Sequence, residues 1–210
     1  AQQNIVDITG LIDVSASNGA GGSIVVEGEA IRLGATARLD ASGPAGGGRI
    51  AIGGGFGGKD STILNADDVV VVAGAQIVAD ATEKGDGGKI SIWADGATTF
   101  HGAISARGGA KGGNGGFAEV SGKKSVTVSG HADMRATLGA FGTFLIDPGS
   151  ITIQDGADAA VDANSFNDSY IETQLGLGNF TIQTSAATNA GTEDITVKNG
   201  VSIVWNGATL

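Results

Sequence analysis

Cysteine is absent and proline occurs only twice in 210 residues. The first absence excludes a disulfide scaffold and any thiolate metal site. Collagen is excluded as well, because the 38 glycines follow no strict G-X-Y period and have almost no proline beside them. Leucine is scarce, at nine residues against 19 isoleucines and 16 valines. That balance excludes a helical bundle: β-branched side chains lose rotamer freedom in a helix, and each interior glycine costs about 1 kcal/mol. Basic residues number 12 against 22 acidic, a net charge of −10, with no run of Lys or Arg. Nucleic acid and anionic membrane surfaces are therefore not expected as partners. No apolar stretch approaches the roughly 20 residues of a membrane helix, and no signal peptide opens the chain. Ala1 in place of Met reads as a processed form or an excised fragment.

Hydrophobic residues reach 41% of the chain, enough to repay the ordering entropy of folding, and 31 of them are alanine. The core must then be narrow, filled by small and β-branched side chains. Internal repetition gives its form. Four segments open with a glycine pair and continue as an alternating strand: Gly21-Gly22-Ser23-Ile24-Val25-Val26, Gly47-Gly48-Arg49-Ile50-Ala51-Ile52, Gly87-Gly88-Lys89-Ile90-Ser91-Ile92 and Gly115-Gly116-Phe117-Ala118-Glu119-Val120. Their first inward positions, Ile24, Ile50, Ile90 and Ala118, are 26, 40 and 28 residues apart. The long interval holds an insertion, roughly Gly53 to Asp67, rich in glycine and polar residues.

A second strand follows each first one, at Ile31–Leu33, Val69–Val72, Thr98–Phe100 and Val126–Val128. A third ends the unit, at Ile12-Asp13-Val14, Leu39-Asp40-Ala41, Ile77-Val78-Ala79, Ile104-Ser105-Ala106 and Met134-Arg135-Ala136. Equivalent residues recurring at one period must stack, which hairpins do not allow. The expected fold is all-β: a right-handed parallel β-helix of three short strands per coil, period about 27 residues, with seven or eight coils stacked about 4.8 Å apart. Ile12, Leu39, Ile77, Ile104 and Met134 should form one inward column. The next should be Val14, Ala41, Ala79, Ala106 and Ala136, with the glycine pairs supplying φ > 0 at the bend.

Residues 1–142 read as regular coils with the insertion near 53–67, and 143–210 as continuing coils with a short helix near 165–175. Thr143-Phe144-Leu145-Ile146-Asp147-Pro148 is a strand ended by a proline turn, followed by Ile151-Thr152-Ile153. Ser165 is the expected helix N-cap, with Phe166, Tyr170, Ile171 and Leu175 on or near one face. Such a helix would cover an exposed strand edge. Strands should resume at Phe180–Ile182, Ile195–Val197 and Val201–Trp205, and the chain stops at Leu210 in strand-like sequence, which suggests truncation.

These residues resemble the filamentous-haemagglutinin-like exoproteins of two-partner secretion systems in Gram-negative bacteria. The resemblance lies in Leu11-Ile12-Asp13-Val14-Ser15, Ile77-Val78-Ala79-Asp80-Ala81, the run Gly87 to Asp95, Gly115 to Gly122, the junction Phe144-Leu145-Ile146-Asp147-Pro148 with Ile151-Thr152-Ile153, and the tract from Gly178 to Leu210. It covers almost the whole chain and implies an internal or downstream β-helical portion of an exported rod, since the family's N-terminal secretion domain is not recognisable. It further implies a secreted or cell-surface location, an outer-membrane two-partner-secretion transporter as partner of the parent chain, and an adhesin's ligand, protein or glycan, on host or biofilm.

Asp13 should lie over Asp40 on the next coil, as two solvated carboxylates or, in an enzyme or cation site, a working pair. Asp80 and Arg107, also 27 residues apart, read as a cross-coil surface ion pair worth about 0.2–1 kcal/mol. His101 and His131 lack a third ligand, so no metal is expected. Gly85-Asp86-Gly87-Gly88 has no tandem partner for a calcium roll, and nothing calls for a cofactor. Asn167-Asp168-Ser169 and Asn179-Phe180-Thr181 match glycan acceptor triplets. Trp93 and Phe117 should face outward on consecutive coils with Lys89 and Glu119 nearby, a candidate ligand-binding patch. The opposing expectation is that Trp93 folds toward the core and Phe117 packs beneath a loop. The insertion is the other binding candidate. The chain is thus expected to be a non-enzymatic adhesin-type rod segment. The alternative is a polysaccharide-active enzyme on the same scaffold, and ice binding ranks last because Thr152, Thr181 and Thr196 form no regular ladder.

Overall fold

Alternating β-branched strands of three or four residues cannot bury a face alone, and the chain solves this by winding. A computed structural model describes residues 4–157, 162–184 and 193–205. Every strand pairing it contains is parallel, as a β-helix requires.

The first face stacks Ser23–Val26, Arg49–Ile52, the start of Lys89–Phe100, the start of Phe117–Gly122, Thr143–Ile146 and Asn179–Ile182. Its register puts Ile24, Ile50, Ile90, Ala118, Phe144 and Phe180 in one inward column, and Val26, Ile52, Ile92, Val120, Ile146 and Ile182 in the next. The second face stacks Ile5–Ile8, Ala30–Leu33, Ala66–Val71, the end of Lys89–Phe100 and Ser125–Val128. Lys89–Phe100 runs unbroken around the corner, where two separate strands were expected, because Ala94 finds partners in both Ala66 and Gly122. Among the described residues the first face is six strands deep, and Ile5–Ile8 with Leu11–Asp13 stand one level before its first strand.

The third face, Leu11–Asp13, Arg38–Asp40, Gln76–Val78, Ala103–Ser105 and His131–Asp133, corrects two expectations. Ala132, not Met134, lies beside Ile104, so Met134 continues the column of Ala79 and Ala106. Alternation repeats every two residues, and both Ala132 and Met134 are apolar, so the pattern fits equally well when slipped by two. The glycine pairs are also not positions of positive φ; those are Gly19, Gly46, Gly74 and others. They are sites of close approach. A Cβ on Gly21, Gly47, Gly87 or Gly115 would stand 1.8, 1.9, 2.0 or 1.9 Å from the carbonyl oxygen of Ala41, Ala79, Ala106 or Met134.

The helix is Asp168–Leu175, shorter than expected; Ser165 lies in a strand, Ser165–Asn167, beside Thr152–Gln154, and Asn167 is the N-cap. Asn164 sits at φ 57 and bonds Val126 both ways: its N–H donates to the Val126 carbonyl at 2.7 Å, and its Oδ1 accepts the Val126 N–H at 2.7 Å. The helix closes the open edge of the third face. The buried Gln174 amide imitates the missing coil, accepting the Ala132 N–H at 3.1 Å and donating to the Ala132 carbonyl at 2.6 Å, while the Tyr170 hydroxyl donates to Gly130 O. Ile195–Val197 forms a strand as expected and pairs with Ile151–Gln154, whereas 201–205 forms no strand. Leu210 lies outside the described residues.

Candidate functional site

The outward positions of Lys89–Phe100 and Phe117–Gly122 carry Lys89, Ser91 and Trp93 beside Phe117, Glu119 and Ser121. The four sequence-derived candidates thus share one patch. The patch is not an open platform: Trp93 is 3% exposed and Glu119 2%, and Phe117 packs beneath a loop as the opposing expectation had it, while Trp93 is covered from outside rather than turned toward the core. The insertion between Arg49–Ile52 and Ala66–Val71 folds back over them. Its glycine-rich backbone lies flat on the indole, so close that a Cβ on Gly54 or Gly58 would reach within 2.8 or 2.4 Å of the ring. Phe56, in a short 3-10 turn, meets the half-buried Phe117 edge to face at 5.3 Å. Lys89 alone of the four stays exposed, in register between Arg49 and Phe117.

Polar contacts tie the insertion down. The Ser91 hydroxyl donates to Gly54 O at 2.9 Å, and the Trp93 indole N–H donates to Asp95 Oδ1 at 3.1 Å. Asn65 Nδ2 donates to Gly58 O at 3.1 Å and to the same Asp95 oxygen at 3.3 Å. The Gly57 N–H donates to both oxygens of Glu119, at 2.9 and 3.2 Å. Burial pushes the Glu119 carboxyl above its ordinary range, opposed by the hydrogen bonds it accepts. Arg49 and Asp60 pair at 2.8 Å. The Thr62 hydroxyl and then Arg49 hold the Asp60 carboxyl down to about 2. Ser91, Asp95, Asn65, Arg49 and Asp60 were not singled out from the sequence. The available signal was an insertion with two glycine clusters flanking Phe56, since only a chain lacking side chains can lie flush on an aromatic ring.

Elsewhere, the outward acids serve the coil. Asp13 lies in register with Asp40, as expected. Asp13 accepts the Ser15 N–H at 2.8 Å, a bond that with Ser15 lowers its pKa. Asp40 accepts the Ser42 N–H at 2.9 Å and pairs with Arg38 at 2.6 Å. Asp80 and Arg107 form the expected cross-coil ion pair at 2.6 Å, with Arg107 half exposed and Asp80 only 6% exposed. His101 Nδ1 lies 2.6 Å from the Ser129 hydroxyl, and His131 stacks on Tyr170 at 5.2 Å. Among the described residues no group of three or more His, Asp or Glu is placed to hold a metal ion. No described helix is long and apolar enough to cross a membrane. Asn167, of the first glycan triplet, is buried and bonded to Ala157 O, whereas Asn179 is exposed.

No protein-family model matches the chain, and no curated protein matches it.

Proposed function

We propose that the chain is a non-enzymatic rod segment of a secreted, surface-exposed adhesin-type exoprotein of a Gram-negative bacterium. In this proposal the parent chain leaves through an outer-membrane two-partner-secretion transporter, and the rod presents a face or its insertion to a protein or glycan on host or biofilm. The supporting observation is the unbroken parallel register of the first face through six strands around a buried apolar core. Such a stack resists bending because every coil bonds to the next along its whole length. Outward polar groups at the coil corners are engaged in turns and ion pairs, which favours support over catalysis.

The test is binding of the purified chain to glycan and host-protein arrays, repeated with the insertion shortened between Gly54 and Leu64 and with Trp93→Ala. Saturable binding that falls at least tenfold in both variants is expected. Depolymerisation of a polysaccharide that disappears in Asp13→Asn or Asp40→Asn would overturn the proposal in favour of an enzyme. Absence of binding to every array component would also overturn it.

A further inference from the structure

A second surface, on the corner that leaves the third face, carries chemistry beyond the ion pairing that the rod proposal cites. Asp80, Arg107 and Arg135 each stand three residues beyond the in-register Ile77, Ile104 and Ala132. They therefore form a vertical row on successive coils, about 4.8 Å apart. With Thr82, Thr137 and Phe141 they line an open cleft of about 620 Å³ over a floor of alanine and glycine.

The hydrogen bonds decide what this cleft can offer. Asp80 Oδ1 accepts the Ser105 hydroxyl at 2.6 Å and the Arg107 backbone N–H at 2.8 Å. Its Oδ2 accepts Arg107 Nε at 3.0 Å and Nη2 at 2.6 Å. Four donors saturate a carboxylate. Asp133 holds Arg135 in the same way, through Nε at 2.9 Å and Nη2 at 2.7 Å. Each guanidinium is mounted by one edge, and its Nη1 edge remains for the cleft; the two arginine side chains are 53% and 51% exposed. The cleft consequently presents fixed donors and few acceptors, so its ligand must bring acceptors.

We propose that this cleft binds the carboxylate-bearing sugar units of an acidic polysaccharide. The paired Nη1 groups donate to uronate carboxylates, a geometry guanidinium matches better than ammonium. The threonine hydroxyls meet ring hydroxyls, and Phe141 offers its face to a pyranose. An extended acidic peptide fits less well, because two of the backbone N–H groups an added strand would use are already taken: the Ala81 N–H donates to Arg107 O and the Gly108 N–H to Arg135 O. The net charge of −10 repels a long polyanion, so short oligomers should bind best.

The probe is a tetramer of galacturonic acid titrated into the 210-residue chain by calorimetry. Its methyl ester and a tetraglutamate peptide serve as comparisons. Saturable binding is expected for the free acid, at least tenfold weaker for the ester and the peptide. It should also weaken at least tenfold in Arg135→Gln and in Phe141→Ala, both of which leave the Asp80–Arg107 pair intact. Arg135→Lys, which keeps the charge without the planar fork, should bind weakly while melting as the parent does. No saturable binding of the free acid, or binding unchanged in Arg135→Lys and Phe141→Ala, would overturn the proposal. Equal, Arg135-dependent binding of tetraglutamate would also overturn it and assign the cleft to acidic peptides. Failure here leaves the rod proposal standing, since the insertion surface is tested separately.

Discussion

At the scale of single residues, the glycine pairs set how closely successive coils approach. Gly47 has Ala79 O where its Cβ would be, at 1.9 Å, and that oxygen is backbone, which cannot swing away. Gly10 has nothing within 4 Å and no positive φ. Gly47→Ala should therefore destabilise the chain by about 1–3 kcal/mol or more through overpacking. Gly10→Ala should be neutral or stabilise by about 0.4–1 kcal/mol through a less flexible unfolded chain. Urea melts of the two variants check this, and equal effects would contradict the steric account. The aliphatic columns were legible because Ile24, Ile50 and Ile90 recur in phase with strand alternation. The cause of the glycine pairs was not, since a bend and a close contact both select glycine. Met134 was misplaced for a related reason: a pattern of period two carries no information about a slip of two.

Among the elements, the insertion is held in part through a titrating group. Glu119 is buried beneath it, and burial raises its pKa above the ordinary 4.5. A carboxyl raised in the folded state binds its proton more tightly there than in the unfolded chain, so its contribution to stability is lost as pH rises through the raised value. Glu119→Gln removes that loss and still offers an oxygen to the Gly57 N–H. The melting temperature of Glu119→Gln relative to the parent should climb as pH rises upward from 4.5 and then level off. A difference independent of pH would show that Glu119 does not titrate beneath the loop. Asp60 acts in the opposite sense, its stabilising effect disappearing only as pH falls toward about 2, so the two windows do not overlap. From the sequence, Trp93, Phe117, Lys89 and Glu119 could be placed on one outward patch. That Phe117 packs beneath a loop was among the expectations; that the insertion also covers Trp93 and Glu119 from the outer side was not legible, because alternation reports only which side of a strand a residue takes. The Gln174 contact was hidden likewise: a polar residue on a short helix reads as solvated until a strand edge is found beneath it.

For the molecule as a whole, each coil bonds almost only to its neighbours, so stability should vary along the rod rather than rise and fall as one unit. The first coil shows the gradient. Ile5 and Leu11 are 66% and 62% exposed, and Val6, Ile8 and Ile12 are only partly buried, while Ile50, Ile77 and Ile90 are fully buried. A coil of this kind gains its core when the next one lands on it. Hydrogen exchange under native conditions should be slowest at Ile50–Ile52, Ile90–Ile92 and Ala118–Val120 and fastest at Ile5–Ile8. Ile77→Ala, expected to cost about 2–5 kcal/mol, should accelerate exchange in the neighbouring strands Arg38–Asp40 and Ala103–Ser105 more than in Asn179–Ile182. Exchange in which all these amides open together, at one rate and equally affected by the substitution, would mean that the rod unfolds as one unit and that stability does not vary coil by coil.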